Sequence, residues 1–342
     1  MDQFSAHLDR GWDLIQNGDS RGAELSARRA LELDGDSPEA YNLLGYVAAL
    51  RGDFEQAVES YQQAIALDET YLEAILNAAE IFIHPLGDFD TAQRLCEDAL
   101  ELAETDDERV DALLLKFDAL LGKQQIDAAK ELCRRFPDGP FDNPSHAFLV
   151  GRALYEVGDI QRAAQLIEEA VRRTPRNPEA HYYRGLLADD RGEAKVAVQA
   201  FLKSLELDAY APPPAWSLSP DSFRETVHRC IERLPADLRE VIEMDEVYVA
   251  GLPGVEVVAD GIDPRAVLLV DAVSEDAVAA PHPDGALPTP AAVKPRARVF
   301  VYQRNVERLA GGIDGLNGEL MESLERELRA LLEAPIVPPP RS

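Results

Sequence analysis

A recurring Gly-Asp pair constrains the fold of this chain more than any other feature. The pair, or a close variant of it, recurs every 34 to 36 residues, beginning at Gly18, Gly52, Gly87, Gly122, Gly158 and Gly192. Small side chains recur on both sides of it, at Gly11, Gly45, Gly151 and Gly185 before the pair and at Ala23, Ala57, Ala92, Ala163 and Ala197 after it. Small residues let two helices approach closely, and a glycine between them supplies the positive φ that ends the first helix. The period therefore predicts stacked helix pairs, because each pair buries its apolar face only against its neighbours.

The residues within one period identify the type of repeat. Residues 38–71 carry Tyr41, Leu44-Gly45, Gly52, Ala57, Tyr61 and Ala64. This pattern resembles the tetratricopeptide repeat, a helix–turn–helix unit of 34 residues. Six units fit it, at residues 4–37, 38–71, 72–106, 107–141, 144–177 and 178–211, of which the fourth is divergent. Residues 1–211 are thus expected to form an α-helical superhelix of about six helix pairs.

The resemblance implies a concave groove, lined by the first helix of each pair, that binds a segment of a partner protein. The groove positions of the family select Trp12, Asn42, Tyr46, Glu73, Glu80, Lys116, Phe148, Arg152, Tyr155 and Tyr182 as the main candidate contacts. They also select Leu8, Ile15, Glu39, Leu76, Arg109, Glu179 and Asp189. Tryptophan, tyrosine and arginine are the residue types most enriched at binding hot spots. The alternative for each position is a solvated side chain or one that packs on a neighbouring helix.

The charge of the chain restricts the class of partner. There are 63 Asp and Glu residues against 34 Lys and Arg, a net charge of −29. Such a chain repels phosphate backbones and anionic lipid headgroups, so we expect neither nucleic-acid binding nor membrane insertion. Residues 1–111 alone hold 26 acidic and 7 basic residues, a net charge of −19. We therefore predict a partner segment that combines Lys or Arg with apolar anchors.

The remaining sequence signals predict a cytoplasmic protein without cofactors. The first residues show neither a basic region nor an apolar stretch, so we expect no secretory signal. The three cysteines, Cys96, Cys133 and Cys230, lie far apart in helical patterns and are expected to be reduced core residues. The first helices of repeats one to three contain no lysine, which argues against the carboxylate clamp of chaperone-binding repeat domains. The sequence leaves the oligomeric state and the identity of the partner open.

The C-terminal third has a different pattern. A Pro-rich linker at 212–218 precedes a helix expected at Phe223–Leu234 and short apolar runs typical of strands at 246–249, 255–258, 266–270 and 298–302. A Pro-rich loop, Val278–Pro295, separates the last two runs, and a final helix is expected from about Asn317 to Glu333. Residues 219–334 are therefore predicted to form an α+β domain, followed by a Pro-rich tail at 335–342.

The order of these elements resembles the minimal matrix-metalloprotease-like zincin domain. The resemblance rests on Val247-Tyr248-Val249, Ala266–Val270, Val299–Tyr302 and the closing helix Leu320–Leu328. That family binds zinc through His-Glu-x-x-His, where two histidines share one helical face. The aligned residues here are Arg326, Glu327 and Ala330, so neither histidine is present. The resemblance therefore implies a degenerate zincin-like domain with no metal and no catalytic residues.

Three functions remain open at this stage. The leading prediction is a non-enzymatic scaffold or adaptor, with the zincin-like domain as a second docking or regulatory surface. A hydrolase or metallopeptidase-type enzyme with an unrecognised C-terminal site is the competing class. The third is a regulatory pseudoprotease in which Val278–Pro295 folds over the groove as an internal ligand.

Overall fold

The computed structural model describes residues 2–273 and 296–333. The chain divides into two compact units, Met1–Pro175 and Arg176–Ser342. The Pro-rich loop predicted at Val278–Pro295 and the tail predicted at 335–342 lie outside the described residues. The sixth helix pair, 178–211, belongs to the same compact unit as the C-terminal region, whereas the sequence predicts a domain boundary after it.

The described part of the first unit, residues 2–175, forms ten α-helices. They are α1 (Gln3–Gln16), α2 (Ser20–Leu33), α3 (Pro38–Leu50), α4 (Phe54–Leu67), α5 (Leu72–Ile83), α6 (Phe89–Leu102), α7 (Asp106–Gly122), α8 (Ile126–Leu132), α9 (His146–Glu156) and α10 (Ile160–Arg173). Each odd-numbered helix packs against the even-numbered helix that follows it, and neighbouring odd-numbered helices also contact one another. We call the surface formed by α1, α3, α5, α7 and α9 the first-helix face.

The Gly-Asp pairs form the turns between the two helices of a pair. Gly18, Gly52, Gly87 and Gly158 all adopt the left-handed conformation, with φ between +66° and +83°. The aspartate after each of them caps the next helix, because its carboxylate accepts the backbone N–H three residues further on at 2.8–3.4 Å. One dipeptide thus ends the first helix and starts the second, which confirms the turn that the sequence predicts.

Repeat four departs from the regular pattern, as its sequence predicts. Its second helix, α8, is only 7 residues long and continues into a short 3₁₀ turn at Cys133–Arg135. The irregular chain that follows is held by α10, since Arg162 donates to the carbonyl oxygens of Cys133 and Phe136 at 3.1 and 3.0 Å. At the start of α9 the buried His146 ring lies between Asp107 (3.1 Å) and Asp111 (2.9 Å) of α7. Side-chain hydrogen bonds therefore replace the helix packing that the shortened α8 does not provide.

The second unit combines one helix pair with a small α+β region. Its helices are α11 (Pro178–Asp190), α12 (Ala194–Tyr210), α13 (Pro220–Arg233), α14 (Ala236–Arg239), α15 (Val255–Ala259), α16 (Gln303–Ala310) and α17 (Leu316–Glu333). Its strands are β1 (Ile242–Ala250), β2 (Leu268–Val273) and β3 (Arg296–Tyr302). The sheet order is β1-β3-β2, with β3 parallel to β1 and antiparallel to β2. One sheet face joins α13 and α17 in a core that includes Phe223, Ile231, Val299, Val301, Leu320, Leu324 and Leu328.

Most of the predicted C-terminal elements are present, but one strand is wrong. Residues 255–258 form a turn of helix, α15, in which the Val258 N–H donates to the carbonyl of Gly254 at 3.2 Å. The alternating Val-Glu-Val-Val sequence fits a strand, yet the fold uses it to bury Val258 against α12. The predicted linker 212–218 is also packed at its end, where Leu218 contacts the core and its N–H donates to the buried Glu307 carboxylate at 3.2 Å.

Candidate protein-binding surface

The first-helix face of repeats one and two presents a pair of aromatic rings. Trp12 of α1 and Tyr46 of α3 meet edge to face, with ring centroids 5.4 Å apart and an interplanar angle of 64°. Both side chains are half-buried, so part of each ring remains accessible. Two predicted contacts on α5, Glu73 and Glu80, are exposed. The structure therefore leaves four of the predicted contacts accessible on three consecutive first helices.

A buried tyrosine lies beneath this part of the face. Tyr61 of α4 packs against α3 at Gly45, where an added Cβ would lie 2.6 Å from the tyrosine ring. Burial raises the pKa of the Tyr61 hydroxyl, and the negative charges of Glu80 and Glu73 raise it further. The hydroxyl of Tyr61 is therefore held in its neutral form by burial first and by these two carboxylates second.

Asn42 is placed between repeats rather than on the accessible surface. It is fully buried, donates from Nδ2 to the Tyr71 hydroxyl at 3.2 Å and accepts from Asn77 Nδ2 at 3.0 Å. Burial raises the pKa of Tyr71 to about 12, with the charge of Glu73 acting in the same direction. The amide therefore joins repeats two and three, because a buried amide needs its hydrogen bonds satisfied.

The cations predicted in repeats four and five are held by carboxylates. Lys116 Nζ of α7 lies 2.8 Å from Glu97 Oε1 of α6, and only 13% of the lysine side chain is exposed. Arg152 Nε of α9 lies 3.6 Å from Glu156 Oε1. Burial raises the pKa of Asp118, although the charge of Arg152 partly offsets the effect. Both cations are thus engaged by carboxylates of the chain itself.

The two aromatic residues predicted on α9 differ in exposure. Phe148 is only 7% exposed and belongs to the packed interior of the unit. Tyr155, the last residue but one of the helix, is half-buried. Only Tyr155 of the two has substantial surface on the first-helix face.

In the second unit, Tyr182 of α11 is covered by the C-terminal region. Its hydroxyl donates to Asp263 Oδ2 at 2.9 Å, and the Arg265 guanidinium lies over its ring, 4.2 Å from the centroid. Arg265 also pairs with Glu179 at 2.6 Å and lies 3.6 Å from Asp208. Burial raises the pKa of Tyr182, and Asp263 raises it further. Sequence reasoning missed Arg265, for which the only available signal was that a solenoid end needs a cap.

Hydrogen bonds from α16 hold the loop that carries Arg265. Buried Asn305 of α16 donates from Nδ2 to the carbonyl oxygens of Pro264 and Ala266 at 2.9 and 2.8 Å. Next to it, Val258 and Leu252 join an apolar cluster with Ala188, Phe201 and Leu205 of the sixth helix pair. The C-terminal region thus covers both the polar and the apolar surface of this pair.

The residues aligned with the zinc motif lie on the outer side of α17. Arg326 and Ala330 are exposed, and Arg326 Nε pairs with Glu327 Oε1 at 3.2 Å. The opposite side of the helix buries Leu320, Leu324 and Leu328. Within the described residues, no group of three or more His, Cys, Asp or Glu side chains could hold a metal ion.

The cysteines are buried, as predicted, and carry no disulfide. Burial raises the pKa of both Cys96 and Cys133 to about 12. Such thiols are protonated at neutral pH and are therefore poor nucleophiles. Among the helices that the structure describes, none is long and apolar enough to cross a membrane.

Comparison with known proteins supports the repeat assignment. Family models described as tetratricopeptide repeat match residues 8–71, 149–212 and 74–110. These ranges cover units two and six and most of units one, three and five, and omit most of the divergent fourth unit. A search of the curated proteins found no match.

Two solved structures show the same helical fold over 61% of this chain. One is PilF of Pseudomonas aeruginosa, with 20% identity, a TM-score of 0.52 and 93% of that chain covered. The other is PilW, a widely conserved type IV pilus biogenesis factor, with 17% identity, a TM-score of 0.51 and 94% of that chain covered. At this identity the likeness concerns the fold alone. The family matches confirm tetratricopeptide repeats at residues 8–71, 74–110 and 149–212, in agreement with the helix pairs that the structure shows there.

Proposed function

We propose that the protein is a non-enzymatic adaptor that binds a segment of a partner protein on the first-helix face of residues 1–175. Proteins built from tetratricopeptide repeats generally mediate protein–protein interactions. The observation that carries the proposal is the accessible Trp12–Tyr46 ring pair on two adjacent first helices. Aromatic rings of this kind supply a large contact area at a small cost in conformational entropy.

The C-terminal region has a structural part in this proposal. The resemblance to a zincin that has lost its metal remains a hypothesis, supported only by the aligned sequence. A cation at position 326 and a methyl group at position 330 provide no zinc ligand there. What the contacts of Arg265 and Val258 support is a cap on the sixth helix pair. We also propose a cytoplasmic location, on the sequence expectation alone.

Affinity capture from a cell extract, followed by mass spectrometry, tests the proposal. The bait is the whole chain, compared with a Trp12→Ala/Tyr46→Ala variant and with Tyr210→Ala, which removes a tyrosine that is 82% exposed outside the first-helix face. Circular dichroism would establish that all three proteins are folded. We expect a protein that the wild type and Tyr210→Ala retain and the double variant loses. Equal retention by all three would contradict the proposal.

A further inference from the structure

The ninth position of each repeat forms a series along the first-helix face. In repeats one, two and three this position holds Trp12, Tyr46 and Glu80, which are 34 residues apart. Because α1, α3 and α5 pack side by side, these three side chains follow one another across the face. The series thus runs from two aromatic rings to a carboxylate.

The carboxylates beside this series have no cation. Within the described residues, neither Glu73 nor Glu80 forms an ion pair, and both side chains are exposed. Glu73 accepts only a long hydrogen bond, 3.4 Å, from the Tyr71 hydroxyl. By contrast, Lys116 and Arg152 are each paired with a glutamate. The two carboxylates without an ion-pair partner in the described part of the chain therefore lie on α5, the first helix that packs against the one carrying Tyr46.

The second unit shows how this chain binds a guanidinium group. There a tyrosine and a glutamate on one first helix hold Arg265, through the ring of Tyr182 and the carboxylate of Glu179. A guanidinium stacks on an aromatic face and offers several N–H donors to a carboxylate, which an ammonium does less well. Trp12, Tyr46 and Glu80 offer the same two kinds of group on the first-helix face.

We propose that the partner segment places an arginine side chain against the Trp12–Tyr46 pair, with its guanidinium facing Glu80. This inference rests on the proposed function and adds the chemistry of the ligand to it. Apolar residues on either side of the arginine would contact the remaining ring surface. The partner is thus an arginine-containing peptide segment rather than an acidic one.

The assignment is tested by titrating labelled peptides with the whole chain and measuring their binding by fluorescence anisotropy. The probes are fluorescein-labelled peptides of repeated Leu-Arg-Ala triplets and matched peptides with Lys, Gln or Glu in place of Arg. The protein variants are Glu80→Gln, Trp12→Ala/Tyr46→Ala and, as a control, Glu59→Gln, which removes an equal charge from an exposed position of α4. Tyr46→Phe is a further control, because it changes the same residue but keeps the aromatic ring and should therefore still bind the Arg peptide.

We expect the Arg peptide to bind most tightly and the Glu peptide least. Glu80→Gln should weaken binding of the Arg peptide by about fivefold to tenfold, because it removes the partner of the guanidinium. Glu59→Gln should change it by less than about twofold, since that charge is distant and screened by salt.

Other outcomes would overturn the assignment. An equal loss with Glu80→Gln and Glu59→Gln would mean that only overall charge attracts the peptide, and no binding of the Arg peptide would exclude the site. Suppose that the Arg, Lys and Gln peptides bind equally and that Trp12→Ala/Tyr46→Ala weakens all three. The preference for arginine would then be wrong, but the proposed function would stand. If that double variant weakened no peptide that binds, the proposed function itself would fail.

Discussion

The sixth helix pair and the first three repeats use similar residues in opposite ways. On α11, Glu179 and Tyr182 are engaged by Arg265 from the same chain. On α3 and α5, Tyr46 and Glu80 meet no cation among the described residues. The difference shows that the same repeat positions can be left accessible or can be occupied by a side chain of the same chain. What decides between the two is the chain that follows the repeat.

The physical reason is that the last repeat of an array has no successor to cover its apolar side. In the second unit, Val258 and Leu252 perform that task against Phe201 and Leu205. Arg265 then completes the polar part of the cover through Asp208 and Glu179. The covered face should therefore matter for stability, and the open face should matter for binding.

The strongest effect is expected from Val258→Asp. The substitution places a carboxylate in a fully buried apolar site and should lower the free energy of unfolding by about 3 kcal/mol or more. Val255→Asp is the matched control, because Val255 lies one turn earlier on α15 and is 61% exposed. Urea denaturation measures both. Similar midpoints for the two variants would mean that Val258 does not help to cover the sixth helix pair, and would contradict the proposed cap.

Arg265→Ala should have the next largest effect. It removes a cation that is only 12% exposed from Glu179 and Asp208 and is expected to destabilise the second unit by about 2–3 kcal/mol. Arg265→Lys should recover only part of this, since an ammonium does not stack on Tyr182 as a guanidinium does. Hydrogen exchange of α11 and α12 reports the loss locally. Unchanged exchange in these helices would argue against the cap.

Tyr46→Ala, on the open face, should cost less stability. The ring is half-buried and contacts Trp12, so a loss of about 1 kcal/mol is expected. The same variant should reduce capture of the partner strongly. A stability loss as large as that of Arg265→Ala would mean that Tyr46 is mainly a structural residue. The open face would then contribute to stability as much as the covered face does.

The smallest effect is expected from Tyr71→Phe, which should alter the loss of stability at alkaline pH. The pKa of Tyr71 is raised by burial to about 12, above its ordinary value of 10. A group whose folded pKa is raised contributes stability that is complete below pH 10 and is lost as the pH rises towards 12. Tyr71→Phe should therefore show a shallower loss of stability between pH 10 and 12, measured by denaturation at fixed pH values. An unchanged slope would mean that Tyr71 titrates alike in the folded and unfolded chain.

Local signals in the sequence predicted much of the fold. The Gly-Asp pairs located the turns because one residue supplies positive φ and the next a helix cap, both within four residues. The apolar spacing of Leu316, Leu320, Leu324 and Leu328 located α17 for a similar reason. The prediction of a strand at residues 255–258 was wrong because an alternating pattern also fits a short helix with one buried side chain. Here that side chain is Val258, which packs against α12.

The candidate site was less accessible to sequence reasoning. Trp12, Tyr46 and Glu80 could be selected from repeat positions, and all three are accessible. Asn42 and Phe148 were selected by the same reasoning but are buried, and Asn42 is hydrogen-bonded to the next repeat. The pairing of Tyr182 with Arg265 joins residues 83 positions apart in the sequence, and no local pattern encodes such a contact.

Hydrogen–deuterium exchange of the whole chain, with and without the captured partner, tests the central claim most directly. Partner binding should slow exchange in α1, α3 and α5, which carry Trp12, Tyr46 and Glu80. It should leave α11 and residues 252–266 unchanged, because that surface is already covered by the chain itself. Slowed exchange in α11 without any change in α1, α3 and α5 would contradict the account.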